Sequence, residues 1–138
     1  MSLTRILLNV VGFFVLLDGC IGVSSPSTSR MLMNALIEKV PASILRVLSL
    51  FWGILCAIIA IGTLTSGPEN KLILDYLLTM GMALFALVYV LIAFTLPEDL
   101  RDSEFIRNML EMPDSKFRLY ESATLAMGIF IIFISVRY

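Results

Sequence analysis

The chain has 138 residues, 59% of them hydrophobic and only 15% charged, with ten basic and eleven acidic side chains for a net charge of −1. That apolar share, with a mean hydropathy of +0.95, exceeds what ordinary soluble domains carry. The charge balance leaves no basic field for nucleic acid, and the absence of histidine removes the commonest general base and metal ligand.

The first apolar run, about Ile6 to Val23, has the length of a bilayer-crossing helix. Arg5 ahead of it and Leu17-Asp18-Gly19-Cys20 near its end loosely resemble a lipoprotein signal. An aspartate so close before the cysteine is a poor fit to that processing, so the segment reads as a span. It ends at Ser24-Ser25-Pro26-Ser27-Thr28-Ser29, hydroxyls that can cap followed by a proline suited to a first helical turn. Beyond Arg30, Leu32, Ala35, Leu36 and Val40 recur at three- and four-residue spacing. This predicts a short helix lying on the membrane surface over roughly 28–39.

Pro41 ends that helix, and a second span follows from Leu45 to Leu64. Thr65-Ser66-Gly67-Pro68-Glu69-Asn70 is a dense turn signal. A third span covers Leu72 to Leu96, and Thr95-Leu96-Pro97-Glu98 fits a capping box at its end. A second surface helix is expected over roughly 98–111, with Phe105, Ile106, Met109 and Leu110 as its apolar side. Pro113 then opens the last span, Phe117 to Val136.

This layout occurs twice. Pro41-Ala42-Ser43-Ile44-Leu45-Arg46 and Pro113-Asp114-Ser115-Lys116-Phe117-Arg118 share Pro-x-Ser-x-apolar-Arg. Arg30 and Arg101 each stand four residues after the preceding proline, Pro26 or Pro97. Such a repeat predicts an all-α integral membrane fold: four transmembrane helices as two tandem hairpins of the same orientation, residues 1–66 and 67–138, each with a short interfacial helix between its spans. A pseudo-twofold axis along the membrane normal would relate the copies, unlike the inverted repeats of many transporters.

The connectors after spans one and three carry Arg30, Lys39, Arg46, Arg101, Arg107, Lys116 and Arg118, against Arg5, Lys71 and Arg137 on the other side. The positive-inside rule therefore places both surface helices in the cytoplasm and both termini outside.

Asp18-Gly19, Pro26 eight residues after the acid, a short basic helix and Pro41 to Arg46 together resemble the YjeT-like family of small bacterial inner-membrane proteins. The second half keeps Pro97, Pro113 and Arg118 but has Tyr89-Val90 where that pattern has acid-glycine. The resemblance implies a bacterial inner membrane and brings no activity with it.

Asp18 lies about 9 Å inside the boundary of span one at 1.5 Å per residue. An ionisable group there is a candidate site, with pairing to Arg46 or to the serines near Ser24 as the alternative. Arg46 and Arg118 suit anchoring to lipid phosphates, and Glu121 suits a one-turn pair with Arg118. Ser49, Gly53 and Ala57 form a small-residue stripe through which span two can pack closely on another helix. Cys20 and Cys56 read as buried structural thiols, and the scattered methionines as packing rather than a copper site. No catalytic constellation, cofactor or metal motif emerges. The expectation is a non-catalytic accessory or scaffold subunit, packed by lipid and by other membrane subunits or by self-association. A small transporter or channel using Asp18 is the alternative.

Overall fold

A computed structural model of the chain describes residues 2–95 and 103–138, apart from the Phe105 side chain. It is helical, with no strand among the described residues. The helices are α1 (Leu3–Ser24), α2 (Pro26–Lys39), α3 (Ala42–Thr65), α4 (Ile73–Phe94), α5 (Glu104–Glu111) and α6 (Asp114–Ser135). Helices α1, α3, α4 and α6 are each long and apolar enough to cross a membrane. They contain the first two expected spans. The third begins one residue later than expected, at Ile73, and its helix ends at Phe94, with Leu96 outside the described residues, while the fourth starts three residues earlier and ends at Ser135.

Local chemistry explains the boundaries. Ser2 caps α1 by accepting the Arg5 N–H at 3.1 Å. Pro26 occupies the first turn of α2, where its missing N–H costs nothing. Pro41 and Pro113 precede α3 and α6 with nearly identical backbones, φ −58°, ψ 146° and φ −57°, ψ 146°. Each ends the short helix before it and pre-sets the next. Gly67, at φ +94°, makes the turn between α3 and α4 in a conformation other residues adopt only with strain. The capping box expected at Thr95-Leu96-Pro97-Glu98 lies, beyond Thr95, outside the described residues, as does Arg101.

Short helices form over Pro26–Lys39 and Glu104–Glu111; residues 98–102 of the second expected helix lie outside the described residues. α2 packs through Pro26, Ser29 and Ile37, leaving Leu32 and Leu36 about half exposed. Ser103 caps α5 by accepting the Ile106 N–H at 3.3 Å, with Ile106, Met109 and Leu110 half-buried.

Pairing of the spans is less local. α1 packs chiefly against α6, and α3 against α4, while α1 and α3 touch little. The two close pairs thus join the first span of each half to the second span of the other half. Glycine permits the first pairing. A Cβ on Gly19 would lie 2.5 Å from Leu125 N and 2.6 Å from Leu125 Cα, and one on Gly128 would lie 2.6 Å from Leu16 N. The two backbones therefore run in direct contact, the arrangement small residues allow in lipid. On the other pair, a Cβ on Gly53 would lie 2.9 Å from Val90 Cγ2 and 3.3 Å from Ala86 O.

Candidate functional site

Among the described residues, groups of polar side chains interrupt the apolar bundle, and three bear on function. One closes the end where α1 begins and α6 finishes. Asp75, 0% exposed, accepts from Leu72 N–H at 2.7 Å, Arg137 Nε at 3.0 Å, Arg137 Nη2 at 2.9 Å and the Tyr138 hydroxyl at 3.1 Å. The Asp75 carboxylate holds Arg137 still more firmly protonated than usual. Burial, then the Asp75 charge, pushes the Tyr138 phenol up to about 12. Lys71 Nζ donates to Thr63 O at 2.5 Å and Ser66 O at 2.8 Å and stands 5.4 Å from the Tyr138 ring centre. Ser2 Oγ donates to Tyr138 O at 2.8 Å. Every bond of this network is made within the chain, which makes it a clasp. Asp75 was missed as a site in the sequence because it begins a span, where an acid reads as an ordinary helix-start residue.

At the opposite end, Arg30 of α2 reaches the start of α6. Its Nη1 donates to Asp114 Oδ1 at 2.8 Å, its Nη2 to Met112 O, and its guanidinium lies 4.7 Å from the centre of the buried Phe117 ring. Arg46 and Arg118, the expected anchors, are both exposed.

The third group has no such closure. A cavity of about 500 Å³ opens between the two helix pairs, where α1 and α3 stand apart. Its lining includes Phe14, Val15 and Asp18 of α1, Trp52 and Cys56 of α3, Phe85 and Tyr89 of α4, and Leu36 of α2. The Phe14 and Trp52 rings meet edge to face at 5.7 Å between centres. Leu8, Ile59, Met82 and Ile131, none more than 2% exposed, belong to one buried apolar cluster, of which Ile131 also lines the cavity.

Asp18 forms neither expected bond: Arg46 and the Ser24 region do not reach it, and no described residue hydrogen-bonds or ion-pairs with it. The physical reason is the pairing above, which puts α6 rather than α3 beside α1. Glu121 likewise does not pair with Arg118. It is 7% exposed and its side chain lies against Gly22, leaving Oε2 buried without a hydrogen bond. Gly22 is one turn beyond Asp18 on α1, so the two carboxyls are near neighbours whose charges interact. Glu121 also lines a separate cavity of about 350 Å³ with Asn108, Met109 and Tyr120, beneath α5.

The small-residue stripe divides. Gly53 is buried against α4, while Ser49 and Ala57 are half-buried. Gly12, Gly19 and Gly22 of α1 were not singled out in the sequence, although the seven-residue separation of the first two was the available signal. Among the described residues no group of three or more acidic or cysteine side chains could hold a metal ion. Cys56 is buried as expected, but Cys20 is exposed, against expectation, and both are free.

Comparison with protein-family models, with curated proteins and with solved structures finds no match to this chain.

Proposed function

We propose that this chain is a non-catalytic integral membrane protein that packs as an accessory or scaffold subunit within a larger membrane complex. The observation that carries this reading is an unfilled apolar groove of about 260 Å³ between α4 and α6, walled in part by Leu77, Leu84, Met127 and Phe130. Gly81 opens onto it, and nothing lies within 4 Å of where its Cβ would stand. Lipid gives helices no hydrophobic drive to associate, so close approach at a small residue is the main route to a specific contact. Gly81→Leu would fill that notch while leaving the fold intact. Purification in mild detergent should then lose the protein's partner subunits or its own oligomer. A wild-type protein that is a stable monomer without partners overturns the reading. Gly53→Leu cannot serve here, because Gly53 packs inside the fold.

A second reading, a small transporter using Asp18, is favoured by one specific observation. Asp18 lines an open aromatic cavity with no hydrogen-bond or ion-pair partner among the described residues, and Glu121 of α6 lays a second carboxyl against Gly22, one turn along α1 from Asp18. The closely packed apolar cluster that includes Leu8, Ile59, Met82 and Ile131 favours a carrier over an open channel. Asp18→Asn should abolish substrate flux into liposomes under this reading, and unchanged flux removes it.

The same proposal puts α2 and α5 on the cytoplasmic side of a bacterial inner membrane, relates the two halves by a pseudo-twofold axis, and keeps the kinship with the YjeT-like family. Cysteines introduced at Ser27 and Ser103, in a background lacking Cys20 and Cys56, should label only from the cytoplasmic side. Labelling from outside reverses the topology.

A further inference from the structure

We infer that the cavity between the helix pairs is a binding site for lipophilic organic monocations, bulky quaternary ammonium or phosphonium ions carrying apolar groups. This rests on the second reading above, that Asp18 serves a ligand, and adds the ligand's class.

Three features select that chemistry. The cavity volume, about 500 Å³, falls within the ~300–1,000 Å³ of sites for drug-sized molecules. Its walls supply four aromatic rings, Phe14, Trp52, Phe85 and Tyr89. Ring faces attract cations, most strongly once these are desolvated, and quaternary centres bind well among them because they need no hydrogen bond. Asp18 is the acidic side chain in the cavity's lining, and no described residue hydrogen-bonds or ion-pairs with it. An unpaired carboxylate at such a depth is costly to keep, and a bound monocation removes that cost. A hydrated metal ion suits the site less well, because aromatic walls cannot replace its water ligands. A neutral lipid leaves Asp18 unpaired.

Trp52 is the only tryptophan of the chain, so its fluorescence reports on this cavity alone. The test is titration of the whole protein in lipid nanodiscs with tetraphenylphosphonium, using triphenylphosphine oxide as a neutral probe of similar shape. Expected is a saturable change in Trp52 fluorescence with the cation, at least about tenfold weaker in Asp18→Asn. Asp18→Glu should retain binding and Phe14→Ala should weaken it. Each variant is checked for an unchanged helical spectrum and elution volume, and if Asp18→Asn does not fold, Asp18→Glu and the neutral probe decide. An unsaturable response, or equal binding of the neutral probe, overturns the proposal. Flux of tetraphenylphosphonium into liposomes separates the two ideas. Saturable binding without flux keeps the site and removes the transporter. A metal-ion flux dependent on Asp18, without tetraphenylphosphonium binding, removes the ligand class and keeps the transporter.

Discussion

Arg137 grips the fully buried Asp75 with two donors, Nε at 3.0 Å and Nη2 at 2.9 Å, across 62 residues of sequence. This pair fastens the segment after α6 to the start of α4, and Tyr138 adds a third bond to the same carboxylate. Removing Arg137 would leave a buried charge with only the Leu72 amide and a phenol to hold it. Arg137→Ala should therefore destabilise the fold, because it leaves the buried Asp75 charge without its cation. Denaturant unfolding in nanodiscs measures this. The double variant Asp75→Asn, Arg137→Gln should be less damaging than Arg137→Ala alone. A double variant that is worse would show that the pair acts otherwise.

The Tyr138 phenol titrates at about 12 in the fold, above its ordinary value of 10. Between these values the unfolded chain has released the phenol proton and the folded chain has kept it. Stability is therefore complete below pH 10 and falls as pH rises from 10 towards 12. Tyr138→Phe should be less stable than wild type at neutral pH and lose less between pH 10 and 12. Parallel unfolding curves for the two proteins across that window would contradict the assignment.

Gly19 offers no room for even one methyl group, because the atoms it would meet, Leu125 N and Cα, are backbone and cannot rotate aside. Gly19→Ala should cost about 1–3 kcal/mol, as overpacking of a tight contact does. Gly81→Ala, with nothing within 4 Å, should be neutral or slightly stabilising through the better helix propensity of alanine. Thermal unfolding of both variants tests the contrast.

Arg30 and Asp114 form an ion pair, but Asp114 is 63% exposed. Asp114→Asn should cost under about 1 kcal/mol. Arg30→Ala should cost more, since it also removes the bond to Met112 O and the cation over Phe117. Arg30→Lys should recover only part of that loss, lacking the planar fork that meets Asp114 and Met112 together. Limited proteolysis between α2 and α6 should follow the same order. Equal cutting of all three variants would remove Arg30 from this role.

The sequence by itself determined the helices. An apolar run of about 20 residues must satisfy its own backbone in lipid, and prolines at 26, 41 and 113 mark the starts locally. Tertiary structure alone decided which helices lie together. Lipid-exposed and packed faces are equally apolar, so hydropathy does not distinguish them, and the choice rests on atomic fit, as between Gly19 and Leu125. Asp18 was legible as an intramembrane acid, but its surroundings were not. The aromatic rings around it come from three different helices, which only folding brings together. The Asp75 clasp was hidden for the same reason, since its partner stands 62 residues away and only folding brings the two together.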